Sequence, residues 1–413
     1  MSEPGRSPFF DVRTRGFRDR PSVESVLALL IERVGPLPGE PVPLIEAAGR
    51  VLAGAVVSPV DVPAFAKSAM DGFAVRASDT AGALPLAVLG DAFPARPFAG
   101  RVAPGEAVRI ATGAPVPDGA DAVLMTELAH LDTDGRVSAR ALVAPGKHIV
   151  RVGEDVSKGS AVLPAGRELR PQDLGLLASI GAGAVPVFRK PRAAVLVTGN
   201  ELLPTGAAPD GFKIADSNSP MLAALAARDG ATAQPVRYAR DDFHTIREAV
   251  REAAAAADVV LVSGGTSVGA EDHVPRAVAE LGELAVHGVA LRPAGPTGIG
   301  FVAGAAVFLL PGNPASCLCA YDLFAGRAVR RLGGRAWGLP YRQEAIALTE
   351  RVASAPGRTD YVRVRRTGGG VAPVAGGAAS LSASVAADGF VLVPPDRTEL
   401  AAGEPVVVWL YGG

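Results

Sequence analysis

Residues 259–269 read VVLVSGGTSVG, an apolar run followed at once by a loop of small residues. The same order of apolar strand, polar loop and helix recurs between Arg192 and Ala315. In an open α/β sheet the C-terminal ends of the strands share one edge, and ligands bind in the crevice there. The pattern therefore predicts a doubly wound, mostly parallel sheet with a ligand site, which is typical of an enzyme. The other strand and loop pairs are Ala193–Val197 with Thr198–Glu201, Gln234–Tyr238 with Arg240–Asp242, and Val307–Leu310 with Pro311–Pro314.

The chain of 413 residues is long enough for several domains. Apolar residues spaced three and four apart predict helices, and short runs between Gly and Pro predict strands. We expect a multidomain α/β plus β protein. The predicted parts are a flexible tail (1–20), a discontinuous helical domain (21–57 and 152–189), an inserted β-rich domain (58–151), a doubly wound α/β domain (190–337) and a C-terminal β domain (338–413). The helices predicted in the α/β domain are Pro220–Ala227 with Ser219 as its cap, Phe243–Ala256, Val274–Leu281 and Ala315–Leu332.

Composition excludes several classes of protein. The net charge of −1 argues against a general nucleic-acid or acidic-membrane surface. No apolar window approaches the roughly 18–20 residues that a membrane helix needs, and the first residues lack the apolar core of a signal peptide. Cys317 and Cys319 lie one residue apart in a predicted helix, on different faces, so a disulfide between them is implausible. We expect a reduced, cytoplasmic protein.

Two of the four loops combine small residues with free backbone amides. Consecutive glycine amides form anion-binding nests, and a helix N-terminus favours negative charge. Each loop alone is equally compatible with a structural turn or a plain helix cap, but two on one sheet edge favour a phosphate- or pterin-sized anion. The candidate binding residues are Ser263, Gly264, Gly265, Ser267 and Gly269 in the first loop, and Gly312, Asn313 and Ser316 in the second.

The same edge also receives carboxylates, from Glu201, Asp241, Asp242 and Asp272. Asp242 and Asp272 each precede a predicted helix, so a capping role is an alternative for both. Carboxylates beside a bound anion repel it unless a cation lies between them. The charge pattern therefore predicts an Mg²⁺-type ion with oxygen ligands, and capping explains Glu201 and Asp241 least well, because each lies where a strand ends.

Three further residues are candidates for the site, although each also has a purely structural explanation. Arg292 lies in a Pro-rich loop and has the fork of donors that suits an oxyanion, although an ordinary exposed arginine fits the pattern as well. Asp71 and Thr112 lie in Asp-Gly and Gly-Ala-Pro segments, which on physical grounds alone are turns.

Taken together and in order, these motifs resemble the molybdopterin molybdenumtransferase family, the molybdenum cofactor insertases. The resemblance runs from about residue 17 to the end of the chain. The segments that resemble the family are 63–75 (PAFAKSAMDGFAV), 112–117 (TGAPVP), 153–155 (GED), 198–202 (TGNEL), 263–269 (SGGTSVG) with Asp272, 310–316 (LPGNPAS), and 381–384 (LSAS) before Asp388 and Gly389.

The resemblance implies insertion of molybdate into the dithiolene of adenylylated molybdopterin. Hydrolysis of the phosphoanhydride then releases AMP, with a divalent cation assisting. It also implies an elongated homodimer with a molybdopterin-binding α/β domain facing the partner's β-rich domain, and contacts with other cofactor-biosynthesis proteins. In the site so implied, Asp71 and Thr112 join Glu201, Asp241 and Asp272 across the subunit interface, the amides of Gly264, Gly265 and Gly312 hold phosphate and pterin, and Ser382 lies at the inner edge of the C-terminal domain.

The chain departs from the family pattern at three places. Arg292-Pro293-Ala294-Gly295-Pro296 stands where Lys-Pro-Gly-Lys-Pro is common, so one cation is kept as arginine and the second becomes glycine. Asn200 replaces a frequent aspartate, and Ala66-Lys67 stands where Asp-Asn is common. The changes affect charge around the oxyanion and leave the predicted fold unchanged.

Three other functions are compatible with parts of the pattern. The first is a paralogue that uses tungstate or another nucleotidylated pterin, and the second is a molybdopterin carrier without turnover. The third is a sugar-phosphate or nucleotide enzyme on a similar sheet. The motifs around Asp71 and Thr112 argue against the third, and the clustered carboxylates favour turnover over simple binding.

Overall fold

The structure is a computed structural model that describes residues 20–82, 84–266 and 273–412. The chain divides into two compact units. The first unit joins the described residues up to Glu40 to those from Phe188 onward, and the second is Pro41–Val187. Within the described ranges, no helix combines the length and the apolar character needed to cross a membrane.

The first unit is built on a seven-stranded sheet, which confirms the predicted mostly parallel architecture. Arg192–Thr198, Val259–Ser263 and Ala305–Leu310 are parallel neighbours at its centre. Only the end of the predicted strand Gln234–Tyr238 is strand, as part of Arg237–Ala239, and a separate short strand precedes it at Thr232–Ala233. Pro235 between the two has no N–H for the ladder. Two antiparallel strands that we did not predict complete the sheet. From edge to edge, the strands are Thr232–Ala233 with Arg237–Ala239, Arg192–Thr198, Val259–Ser263, Ala305–Leu310, Gly298–Val302 and Glu283–His287.

Helices cover both faces of this sheet, as a doubly wound fold requires. Alternate residues of the strand Arg192–Thr198 enter two different cores, one on each side. Asn218–Arg228 and the last helical segment pack on one side, and Phe243–Ala256 and Val274–Leu281, both as predicted, pack on the other. The predicted helix Ala315–Leu332 consists of Pro314–Ala320, a π-helical turn Tyr321–Ala325 and Gly326–Leu332.

The first helix, Val23–Arg33, also packs against this core. Its buried residues Val23, Val26 and Leu30 share a cluster with Phe324 and Val329. We expected residues 21–57 to fold with 152–189, but the apolar stripe of this helix contacts the α/β domain instead.

The C-terminal β domain belongs to the same unit. Its six-stranded sheet includes Leu291–Arg292, which leaves the α/β domain to pair in parallel with Thr359–Asp360. Gly368 and Gly369 form the turn of a hairpin between Thr359–Thr367 and Gly370–Pro373. The remaining elements are the strands Arg342–Ala347, Val352–Ala353, Thr359–Thr367, Gly370–Pro373, Gly389–Val393, Glu399–Leu400 and Pro405–Leu410, and the short helix Leu381–Val385.

The second unit contains a six-stranded sheet within the predicted β-rich segment. The parts of this unit on either side of that segment hold one α-helix, Pro171–Ser179. They also contain several short strands, which we did not expect in a helical domain. Leu44–Glu46 is a 3₁₀ turn. The division into four domains stays a prediction. The strands of the sheet, in spatial order, are Ala122–Met125, Gly72–Val75, Glu106–Ile110, Leu86–Ala92, Arg136–Ala139 and Ala129–Leu131.

Several short elements remain. The shorter strands are Gly39–Pro43, Val56–Val57, Lys67–Ser68, Ile149–Val150, Ala161–Leu163, Ala184–Phe188, Leu202–Leu203 and Ile214–Ala215, and the 3₁₀ turns are Ala77–Thr80 and Thr126–Leu128.

Candidate functional site

The two predicted substrate loops lie side by side at the C-terminal edge of the sheet. The backbone N–H of Gly264 donates to the carbonyl of Leu310 at 3.1 Å. The side-chain amide of Asn218 donates to both loops, to Ser263 Oγ at 2.9 Å and to the carbonyl of Gly312 at 2.8 Å. The expectation that these loops converge is therefore met for their described residues.

Glycine is required at the start of the first loop. Gly264 and Gly265 have φ values of 93° and 61°, in the left-handed region. A Cβ on Gly264 would lie 2.5 Å from the carbonyl oxygen of Thr198, and one on Gly265 would lie 2.9 Å from Thr198 Oγ1. The loop thus packs its backbone directly against the end of the neighbouring strand. Ser267, Gly269 and Asp272 lie outside the described residues.

Two of the predicted carboxylates lie in cross-linked loops. Asp241 Oδ2 accepts a hydrogen bond from the N–H of Asn200 at 2.7 Å, and Asn200 Oδ1 accepts one from the N–H of Asp241 at 3.3 Å. The carboxylate of Glu201 folds back beside Gly199, where a Cβ would lie 2.7 Å from Glu201 Oε2. Asp242 caps the helix Phe243–Ala256, because its Oδ1 accepts from the N–H of Thr245 at 2.8 Å. The capping alternative is therefore confirmed for Asp242.

A buried carboxylate that sequence analysis missed supports this edge. Asp216 accepts hydrogen bonds from the N–H groups of Asn218 at 2.9 Å and Ser219 at 3.1 Å, from the hydroxyl of Ser219, and from Tyr238 OH at 2.9 Å. The helix therefore begins at Asn218, and the prediction that Ser219 is its cap was wrong. The Asp-Ser-Asn-Ser run before Pro220 was the available signal, since Asp anchors helix starts as readily as Ser.

A pocket of about 580 Å³ opens between the α/β domain and the C-terminal β domain, within the first unit. Three of the predicted residues line it, namely Arg292, Asn313 and Ser316. Asn313 stands at the N-cap of Pro314–Ala320 without a capping hydrogen bond from its side chain. The lining also includes Pro293, Ala294, Pro296, Pro311, Tyr361, Val362, Arg363, Val374, Gly376, Gly377 and Ala378.

Arg292 is not the isolated cation that its loop suggested. Its guanidinium forms an ion pair with the buried carboxylate of Asp360, which also pairs with Arg358 at 2.9 Å. Arg292 Nη2 donates in addition to the carbonyl of Ala353 at 3.4 Å. At Gly295, where the second cation of the family pattern is missing, a Cβ would lie 2.9 Å from Nη1 of Arg20. A guanidinium from the N-terminal segment therefore occupies the space beside this glycine.

Arg363 is a second pocket residue that sequence analysis missed. It is only 8% exposed, and its Nη atoms donate to the carbonyls of Gly376, Gly377 and Ser380 and to Ser384 Oγ, at 2.7 to 3.2 Å. Arg363 thereby holds the loop that precedes Ser382. Ser382 itself lies in the short helix Leu381–Val385 and is absent from the described lining of the pocket.

In the second unit, Asp71 and Thr112 are brought together across two loops. Asp71 Oδ1 accepts hydrogen bonds from the N–H of Thr112 at 2.7 Å and from its hydroxyl at 3.0 Å. These two bonds, the backbone one foremost, lower the pKa of the exposed Asp71 carboxylate. The pair is thus an exposed acidic group held in place by Thr112.

Most of the chain matches family models. The MoeA N-terminal region (domains I and II) matches residues 21–181, a probable molybdopterin-binding domain matches 194–331, and the MoeA C-terminal region (domain IV) matches 345–411.

Curated relatives and solved structures agree with these matches. A molybdopterin molybdenumtransferase from Haemophilus influenzae is 35% identical over 88% of this chain and 92% of its own length. Molybdopterin molybdenumtransferase 2 from Mycobacterium tuberculosis is 38% identical over 89% and 94%. A crystal structure of a molybdopterin biosynthesis MoeA protein from Pyrococcus horikoshii superimposes with a TM-score of 0.80, at 30% identity, over 95% of this chain and 100% of that one. The chain therefore belongs to the MoeA family of molybdopterin molybdenumtransferases.

Proposed function

We propose that this protein inserts molybdenum from molybdate into the dithiolene of adenylylated molybdopterin, with hydrolysis of the phosphoanhydride and release of AMP. The observation that carries the proposal is the convergence at one sheet edge of two glycine-containing loops and carboxylates. The N–H of Gly264 is bonded to the Leu310 carbonyl, so other amides of these loops would bind the anion. Asn218 joins the loops of Ser263 and Gly312, and Asp241 is tied to Asn200 beside Glu201. Backbone amides can bind the phosphates, and the neighbouring carboxylates can hold a cation. This combination suits the cleavage of a phosphoanhydride.

The pocket is the part of the site that suits an oxyanion. Arg292, Asn313 and Ser316 offer a guanidinium, an amide and a hydroxyl to the same space. The ion pair with Asp360 orients Arg292 and leaves half of its side chain exposed, at 49%. In this proposal Arg292 and Ser316 bind the anion, Arg363 belongs to the wall of the pocket, and Ser382 lies at the inner edge of the C-terminal domain.

The donor chemistry at the sheet edge fits Mg²⁺. This ion takes oxygen ligands and is held in proteins by one or two carboxylates together with substrate phosphate. Glu201 and Asp241 would hold it with Asp272, and Asp241 uses one of its oxygens for Asn200. When bound, the ion supplies charge neutralisation at the phosphates. The described residues alone contain no group of three or more metal-binding side chains, so substrate oxygens or Asp272 have to complete the site.

The remaining part of the proposal concerns assembly. We propose a cytoplasmic homodimer in which Asp71 and Thr112 of one subunit complete the site of the other. The support is that Asp71 and Thr112 form an exposed, charged pair that resembles part of the family's site. Other proteins of cofactor biosynthesis are the expected partners.

The decisive experiment incubates the purified protein with adenylylated molybdopterin, Mg²⁺ and molybdate. AMP release together with active molybdenum cofactor supports the proposal. Tight binding of the nucleotide without AMP release favours a carrier. A parallel reaction with tungstate tests the paralogue, because a tungstate enzyme turns over faster with that oxyanion at equal concentration.

A further inference from the structure

The side chain of Asn218 links two neighbouring strand ends. It is 5% exposed, and its Nδ2 donates to Ser263 Oγ and to the carbonyl of Gly312. Ser263 ends the strand Val259–Ser263, and Gly312 follows the strand Ala305–Leu310, its parallel neighbour. The two candidate substrate loops begin at these points, so the carboxamide of Asn218 sets the spacing between them.

The position of Asn218 is itself fixed by buried groups. Asp216 accepts the backbone N–H of Asn218 and is held in turn by Tyr238 OH at 2.9 Å. Tyr238 OH also accepts the N–H of Thr205 at 3.3 Å, which connects the loop after the strand Arg192–Thr198 to the same cluster. Both loops are therefore bonded to one side chain whose position is fixed.

Stability alone does not explain an asparagine here. Its Oδ1 is buried and accepts no hydrogen bond from any described residue. A buried acceptor without a donor costs about 1–3 kcal/mol, which an apolar side chain of the same size avoids. Buried polar atoms in folded proteins are nearly always paired, so an unpaired one calls for an explanation, of which a functional role is one. What Asn218 contributes is its two donated bonds.

We propose that Asn218 is a positioning residue, whose carboxamide holds the Gly264 and Gly312 loops at the separation that lets both bind one anionic group of the substrate. The inference rests on the proposed function, because it assigns that group to adenylylated molybdopterin. Asn218 acts through the loops and takes no part in bond breaking.

Steady-state kinetics of Asn218→Ala and Asn218→Asp test the proposal. The aspartate has the same shape but cannot donate to the Gly312 carbonyl. Loops that bind ground and transition states alike affect KM and leave kcat nearly unchanged. We expect KM for adenylylated molybdopterin to rise about tenfold or more in both variants, with kcat within about threefold of wild type.

Asp258→Asn is the matched control at the opposite end of the same strand. Asp258 precedes Val259–Ser263 and pairs with Arg189 at 2.8 Å and Arg192 at 3.4 Å, so its loss removes partly buried polar contacts. We expect a lowered Tm and an unchanged KM. A rise in KM equal to that of the Asn218 variants would overturn the proposal, because general loosening of the sheet would then explain both.

Wild-type KM in both Asn218 variants would also overturn it. If neither variant folds, Ser263→Ala removes one of the two acceptors and should raise KM about threefold, whereas an unchanged KM refutes the positioning role. Failure of the wild-type protein to release AMP or form cofactor refutes the proposed function instead, so the two outcomes are distinguishable.

Discussion

At the scale of single residues, the charge of Asp241 is separable from its hydrogen bond. Asp241→Asn keeps an oxygen that accepts the N–H of Asn200, so the loop contact survives while the negative charge is lost. If the charge holds the cation, AMP release should fall about tenfold or more, equivalent to about 1.4 kcal/mol in the barrier.

The control for this variant is its neighbour. Asp242→Asn keeps the helix cap, since Asn caps as well as Asp, and should leave the rate of AMP release at the wild-type value. If Asp242→Asn lost as much AMP release as Asp241→Asn, the total negative charge near this helix would explain both losses. Asp241 would then not be a specific cation ligand. Glu201→Gln is expected to behave like Asp241→Asn.

The Asp71 and Thr112 pair predicts a pH effect. Both bonds from Thr112 lower the pKa of Asp71, so its carboxylate stays ionised to lower pH than in the unfolded chain. The stability contributed by this group is present above the unfolded pKa and is lost as the pH falls through the lower, folded value. Thr112→Val removes the hydroxyl bond and keeps the backbone bond. NMR titration of the Asp71 carboxyl should therefore show an upward shift in its pKa, and an unchanged value would contradict the contact.

Because Arg20 lies beside Gly295, a positive charge can be removed at one position and restored at the other. Arg20 lies where a side chain at 295 would begin, and residue 21 is anchored nearby by the bond from Ala290 N–H to the Pro21 carbonyl at 2.9 Å. If Arg20 contributes positive charge to oxyanion binding, Arg20→Ala should raise the molybdate concentration for half-maximal turnover about threefold to tenfold. Adding Gly295→Lys to Arg20→Ala should restore it, and Gly295→Lys alone should not improve on wild type. Wild-type molybdate dependence in Arg20→Ala would contradict this role.

At the scale of elements, the π-helical turn Tyr321–Ala325 places a carboxylate between two domains. Asp322 is 1% exposed and accepts hydrogen bonds from Tyr341 OH at 2.8 Å, Tyr361 OH at 3.2 Å and Arg228 Nη2 at 3.3 Å. Tyr361 also lines the pocket, so this network joins the last helical segment to the pocket wall.

Tyr361→Phe tests the network. The ring keeps its stacking on Phe390, with centroids 4.0 Å apart, while the bonds of the hydroxyl to the charged Asp322 and to Tyr411 OH are lost. We expect the free energy of unfolding to fall by about 1.5–3 kcal/mol, measured by denaturant titration. Tyr411→Phe removes only the hydrogen bond between the two neutral phenols, whose oxygens lie 2.7 Å apart. It should lower the free energy of unfolding by about 0.5–1.5 kcal/mol. Equal losses of stability in the two variants would mean that the Tyr361–Asp322 hydrogen bond does not stabilise the fold.

The elements that sequence predicted well are those with local signals. Phe243–Ala256 and Val274–Leu281 have an apolar stripe and clear ends, and both have the predicted bounds. The strands Gly298–Val302 and Glu283–His287 were missed because glycine and mixed polarity hide their alternation. Contacts made across the fold have no local signal at all. The ion pair of Arg292 with Asp360 and the four acceptors around Arg363 depend on the C-terminal domain, which sequence spacing could not place.

At the scale of the whole molecule, the proposed homodimer predicts that two chains build each site. The chain folds as two units, with Asp71 in one and Glu201 in the other. In a twofold dimer with shared sites, a subunit with Asp71→Ala paired with a subunit with Glu201→Ala contains one site with both defects and one with neither. Each variant alone has two defective sites. A mixed dimer isolated through two different tags should therefore recover about half of wild-type AMP release. If each site is built within a single chain, every site of the mixed dimer carries one defect and activity stays at the level of the separate variants.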